Sequence, residues 1–263
     1  MSGNRRGAKG WQPPPATGSH WPAGTGALQD PVAGTEGVIE PPRSDAELLE
    51  RARALAGRRL ADIAADLGTT APPDLRHHKG WVGNLVERAL GATAASRAEP
   101  DFLELGIECK TLPVDGRGKP VESTFVCTVP LAEVGEIPWE RSRVRKKLAH
   151  VLWVVVQGDR AITVGDRRVG SALLWQPTAE QERALQDDWE ELAGIIGLGD
   201  IESISGRLGR FLQVRPKAAD SKVRRRSIDT QGEMIETLPR GFYLRATFTA
   251  TILQEHFVVG DGG

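Results

Sequence analysis

The residues of this 263-residue sequence best suited to chemistry are two acids and a lysine: Pro100-Asp101, then, after six intervening residues, Glu108-Cys109-Lys110. On a strand the side chains alternate, so Glu108 and Lys110 share a face about 7 Å apart while Ile107 and Cys109 turn toward the core. Carboxylates converging from adjacent elements make an oxygen site suited to Mg²⁺, which keeps waters and takes few protein ligands. Such a cation polarises a phosphodiester and lowers the pKa of an attacking water. A lysine beside it orients that water or stabilises the charge that develops. The pattern is short, and alone it reads more readily as a surface ion pair on an edge strand.

A second set precedes it. Over 79–91 the apolar residues Val82, Leu85, Val86, Ala89 and Leu90 recur with helical spacing. Lys79, Gly83 and Glu87 fall on another face of the same predicted helix. A mid-helix glycine costs about 1 kcal/mol relative to alanine, so a bare backbone patch between two charges suits close packing.

The elements that must position these groups follow from periodicity and punctuation. Ser44-Asp45-Ala46-Glu47 is a capping box opening a helix that Gly57 closes, and a short helix over 60–67 stops at Gly68. Strands are predicted over 105–111 and 121–129, with Asp115-Gly116-Arg117-Gly118 as the turn between them. A basic helix over 141–150 leads into an apolar strand over 151–156, of the kind buried on both faces. Thr178 and Gln181 cap a long acidic helix running to about 196, expected to face away from any nucleic acid and to be either a solvated face or a partner surface. Strands over 211–215 and 241–245 flank a basic stretch over 217–226, and a last helix starts near Thr247. Mixed strands and helices around one buried strand indicate a single α/β (α+β) core.

Composition narrows the class. Net charge is −1, so any nucleic-acid contact must come from local clustering of charge. Cys109 and Cys127 match neither a disulfide framework nor a CxxC spacing and read as buried free thiols in a reducing cytoplasm. No apolar run reaches the roughly 20 residues of a membrane span, and no signal peptide is evident. Residues 1–43 form a Gly/Pro-rich segment expected to be disordered, and 44–263 the folded domain.

Several strings, in order, resemble the MutH family of methyl-directed mismatch-repair nucleases. They are Lys79-Gly-Trp-Val-Gly, Asp101 through Asp115, Glu122-Ser-Thr-Phe-Val-Cys127, Val144-Arg-Lys-Lys-Leu148 with Val151-Leu-Trp153, and Arg167-Arg-Val-Gly-Ser171. Val214-Arg-Pro-Lys-Ala-Ala219 and Leu238-Pro-Arg-Gly-Phe-Tyr-Leu244 complete the set. The resemblance spans about 44–257, and the N-terminal tail departs from it.

It implies a PD-(D/E)xK, restriction-endonuclease-like mixed sheet flanked by helices, in two lobes that form a DNA-binding cleft. It implies Asp101, Glu108 and the Cys109 carbonyl as Mg²⁺ ligands (Mn²⁺ substituting), with Lys110, Glu87 and Lys147 completing the catalytic set. For Lys147, inside a basic run, phosphate contact is nearly as strong an alternative. Lys79, Phe125, Arg215, Pro216, Lys217 and Tyr243 are implied DNA contacts, with Arg215 in a base-reading loop and Tyr243 sensing the adenine methyl group. The implied reaction is nicking of the unmethylated strand 5′ to the G of GATC by a monomer activated by MutL, with MutS acting indirectly. A GATC restriction endonuclease and a DNA-binding module without catalysis are the alternatives.

Overall fold

The computed structural model describes residues 39–94, 98–217 and 223–258. Most of the Gly/Pro-rich segment, with Trp11 and Trp21, lies outside the described residues.

β3 (Val151–Gln157) divides the interior. Residues 151–156 are all buried. Val151, Trp153 and Val155 belong to one hydrophobic cluster, and Leu152, Val154 and Val156 to a second. A strand walled by apolar side chains on both faces has no polar alternation, as its sequence indicates. Trp153 is fully buried, so its truncation to alanine would cost about 3–5 kcal/mol.

β1 (Glu108–Val114) runs parallel to β3, with Glu108 opposite Val151, and β4 (Val169–Trp175) runs antiparallel on the other side. A parallel pair requires a crossover; here it carries β2 (Thr124–Thr128) and α4 (Arg143–Leu148). The mixed α/β expectation is met. The turn at Asp115–Gly118 does not form a hairpin between β1 and β2. It folds Lys119 back on Asp115, while β2 pairs instead with β8 (Arg240–Leu244), which also pairs β5 (Leu212–Pro216).

Boundaries move for identifiable reasons. The first predicted strand starts at Glu108 because Leu103–Leu105 is a 3-10 turn closed by Gly106 at φ 65. The basic helix is shorter than expected: Trp139–Arg141 is a separate 3-10 turn, and the Ser142 side chain accepts from the Arg145 amide to cap α4. α1 (Asp45–Ala54) opens with the Ser44 cap, and α2 (Leu60–Asp66) follows. α3 (Trp81–Leu90) begins after Gly80, whose φ of 85 ends the turn before it. Lys79 is therefore exposed in that turn and is not on the helix.

α5 (Ala179–Gly197) carries the full capping box at Thr178 and Gln181. It packs Leu185, Trp189, Leu192 and Ile196 into the first cluster, along with Phe248 and Ile252 of α6 (Ala246–Val258). β4 and the hairpin of β6 (Arg225–Ile228) and β7 (Met234–Thr237) were not legible in the sequence. Gly170 and Ser171 break the apolar pattern of β4, and the hairpin is too polar to read as strand. Cys109 and Cys127 are free and buried, as expected.

Candidate active site

The acidic cluster assembles from a loop, a strand and two helices. Asp101 lies after α3, in the tight loop where Phe102 and Ile107 bridge. Its Oδ2 accepts the Cys109 amide at 2.8 Å, which fixes the loop carboxylate against the first turn of β1. Glu108 is the first residue of β1 and is held there by its own amide, which donates to the His150 carbonyl at 3.0 Å.

Glu108 is 5% exposed, and each of its oxygens meets an ammonium: Lys110 Nζ at 3.0 Å from Oε1 and Lys147 Nζ at 2.7 Å from Oε2. Strand alternation explains the first contact, since Glu108 and Lys110 share a face. The second comes from α4, which directs Lys147 inward while Arg143, Arg145 and Lys146 stay exposed. The Lys147 ammonium also donates to the Glu99 carbonyl at 2.5 Å. Lys147 is only 5% exposed and is paired with the equally buried Glu108, unlike the other cations of its run. Sequence reasoning had no signal for Glu99, because a backbone acceptor leaves no mark on residue type.

Glu87 approaches from α3. Burial, and then the charges of Asp101 and Glu108, push its carboxyl up to about 7. Asp101 is raised too, first by burial and then by Glu108. Burial also raises the Cys109 thiol, which stays neutral and apolar beside these charges. Gly83 stands one turn before Glu87; a Cβ there would lie 3.6 Å from Glu87 Oε1 and 3.9 Å from Thr111 Oγ1. These are ordinary contact distances, so the approach of α3 to β1 does not require a glycine there.

Three carboxylates against two ammoniums leave the cluster one negative charge in excess when all are ionised, which suits a cation. Among the described residues no three His, Cys, Asp or Glu side chains are grouped to hold a metal alone. A cation here would take Asp101 and Glu108 and complete its shell with a carbonyl and waters, the habit of Mg²⁺ rather than Zn²⁺.

Of the remaining residues singled out from sequence, Phe125, Arg215, Lys217 and Tyr243 meet on one face of the β2-β8-β5 sheet, whereas Lys79 lies elsewhere and Pro216, next to Arg215 on β5, alternates to the other face. Phe125 on β2 and Tyr243 on β8 are register partners, their rings edge to face at 5.4 Å. The Arg215 guanidinium stands 5.8 Å from the Tyr243 ring and donates to Ser123 Oγ at 2.6 Å. The Lys217 ammonium lies 2.9 Å from the Phe125 ring centroid. Pro216 ends β5, and its neighbour Lys217 donates its amide to the Pro239 carbonyl at 2.7 Å.

Gly241 and Ser123 complete this face and were missed from sequence. A Cβ at Gly241 would sit 3.0 Å from both the Phe125 and Tyr243 rings. A glycine inside an apolar strand is the signal that could have found it. On the opposite face of the sheet Leu212, Val214, Phe242 and Leu244 enter the core. Cys127 of β2 also points inward, toward Lys110 and Lys147, so the two sites share one layer of packing.

Comparison with known proteins agrees with this arrangement. Residues 90–188 match the family model described as DNA mismatch repair enzyme MutH. A DNA mismatch repair protein MutH of Pasteurella multocida is 55% identical over 221 residues, covering 84% of this chain and 99% of the relative. Those of Citrobacter koseri and of Shewanella sp. strain MR-4 are each 52% identical, covering 87% and 83% of this chain and 99% and 98% of the relatives. Identity above half over nearly the whole of each relative leaves one assignment: the chain belongs to the MutH family, the DNA endonucleases of mismatch repair.

Proposed function

We propose that this endonuclease nicks the unmethylated strand 5′ to the G of GATC, in a Mg²⁺-dependent hydrolysis activated by MutL, with MutS acting indirectly. The observation that carries the reading is the convergence of Glu87, Asp101 and Glu108 on Lys110 and Lys147.

Asp101, Glu108 and the Cys109 carbonyl would hold Mg²⁺, with Mn²⁺ as a substitute. The bound cation would polarise the scissile phosphate and acidify a water. Lys110 is placed to orient that water and to meet charge building on the phosphate. Glu87, with its carboxyl near 7, is matched to accepting a proton at neutral pH. Lys147 holds Glu108 in place through Oε2 and stands beside the same developing charge.

Sequence choice falls to the sheet face. Arginine bidentate to guanine O6 and N7 is the commonest specific base contact, so Arg215 is the residue to read the G. Tyr243 beside it would meet adenine N6 in the major groove, and Lys79 would touch DNA from the side that carries α3.

The test is cleavage of unmethylated, hemimethylated and fully methylated GATC duplexes in Mg²⁺, with and without MutL. Nicking confined to unmethylated strands and quickened by MutL is expected. Double-strand cutting independent of MutL would make the protein a restriction enzyme, and absence of cutting on all three would overturn the reading.

A further inference from the structure

We infer that the β6–β7 hairpin is a second DNA contact, an arm whose Arg225 and Arg226 bind the duplex backbone beside the reading face. This rests on the proposed DNA reading by Arg215.

The placement comes from the ladder. The β7 end of the hairpin leads directly into β8, at the point where the Lys217 amide meets the Pro239 carbonyl. Arg225 is the register partner of Thr237, two residues before Pro239. Paired strands lie about 5 Å apart and two residues span at most about 7 Å, so the Arg225 backbone is within about 13 Å of that junction. At 3.4 Å of axis per phosphate, that is about four nucleotides along one strand.

The hairpin is also polarised. Arg224, Arg225 and Arg226 are exposed at its base, whereas Asp229 and Glu233 stand at its tip. Asp229 is used up in the turn, where its Oδ1 accepts the amides of Gln231 and Glu233. Glu236 faces Arg226 across the ladder, but three arginines against this one acid still leave the end nearest Arg215 and Lys217 net positive. Arg225 and Arg226 leave the strand on opposite faces, so they straddle the outer edge of β6. A backbone lying along that edge can be reached by both.

An isolated two-stranded hairpin is marginal in water, yet this one is fixed at both ends. At the tip, Gly199 (φ 80), just beyond α5, packs on the Asp229–Thr230 backbone so closely that a Cβ would lie 2.1 Å from the Asp229 carbonyl carbon. At the base, Glu202 accepts from Thr237 Oγ1 at 3.3 Å and from the Arg240 guanidinium at 3.1 Å. Clamps at both ends present the arginines already ordered, which lowers the entropy cost of binding. The competing explanation is that the arginines only guard an exposed strand edge against pairing with another chain. That role requires no phosphate.

The two differ in salt dependence. Binding to a GATC duplex and to a scrambled duplex is measured without divalent metal from low to high salt, for the parental protein, Arg225→Ala, Arg226→Ala, the double variant and Arg225→Lys/Arg226→Lys. Each alanine should make the slope of log affinity against log salt shallower by about one unit, equally on both duplexes, while the lysine pair restores it. Unchanged slopes in the double alanine variant overturn the arm. A loss confined to the GATC duplex overturns it too, because the arginines would then read bases. A parental protein that binds neither duplex would instead undo the underlying DNA-reading proposal.

Discussion

Lys147 of α4 and Glu108 of β1 meet at 2.7 Å, both almost wholly buried, although 39 residues separate them in sequence. The adjacent Lys146 makes an equally short pair with Glu99, at 2.6 Å, but its side chain is 47% exposed. Two neighbouring lysines thus have different physics. The outer pair is screened and contributes about 0–1 kcal/mol, whereas the inner one fixes a carboxylate away from water.

Lys147→Ala should therefore lower Mg²⁺-dependent nicking at least about 100-fold, the scale set by removing one preorganised donor from an active site. It should also reduce stability by on the order of 2 kcal/mol, since Glu108 would lose one of its two charged partners. Lys146→Ala should leave nicking nearly unchanged. Single-turnover nicking and thermal unfolding of both variants measure this. Parallel effects of the two would place Lys147 with the surface cations.

Glu87 makes stability depend on pH with a definite sign. Its carboxyl sits at about 7 in the fold against 4.5 for the unperturbed group, so the fold favours the protonated form. That contribution is full at low pH and is lost as pH rises through about 7. Glu87→Gln, neutral throughout, should exceed the parental protein by about 1–2 kcal/mol near pH 8.5, a range reduced for screening of a half-buried group. Near pH 4, below the unperturbed value, the two should be alike, the difference opening between about 4.5 and 7. Denaturant unfolding in metal-free buffer reads the difference, and a gain equal at both pH values would show that burial alone, without ionisation, is responsible.

Arg215→Ala should lose discrimination for GATC by about 1–3 kcal/mol while keeping salt-sensitive, non-specific binding. Ser123→Ala removes the hydroxyl that receives the Arg215 guanidinium at 2.6 Å. It should lose a smaller part of the same discrimination, because the guanidinium remains but is less well aimed. Competition binding against a scrambled duplex distinguishes base reading from phosphate contact: equal loss on both sequences assigns Arg215 to the backbone.

Glu108 and Lys110 could be placed together from sequence because their spacing matches the alternation of the strand that carries them. β3 was legible because an apolar run without alternation has one good environment, a wall between two cores. What sequence hid depends on backbone rather than side chain. The Glu99 carbonyl that receives Lys147 and the pairing of β2 with β8 rather than β1 are set by long-range packing, while Lys79 is taken off the helix by the local left-handed turn at Gly80. β4 was hidden by Gly170, at which a Cβ would come within 3.2 Å of Val155 on the neighbouring strand.

Tyr243 gives the most specific expectation. Its ring is half-buried, held edge-on by Phe125 at 5.4 Å, with the Arg215 guanidinium 5.8 Å away and Gly241 leaving room beneath it. On the proposed reading face, a ring held edge-on by Phe125 would collide with a methyl group on adenine N6 in the major groove. Discrimination of this kind comes from an unfavourable contact, not from a bond gained. Tyr243→Ala should therefore let the methylated strand be cut and narrow the preference between strands, while cutting of unmethylated DNA falls less than in Asp101→Ala. Phe125→Ala should act in the same direction more weakly, since it frees the ring without removing it. Nicking of a hemimethylated duplex with each strand labelled separately provides the measurement. A folded, active Tyr243→Ala protein that keeps the parental strand preference would make Tyr243 a packing residue and place the methyl sensor elsewhere.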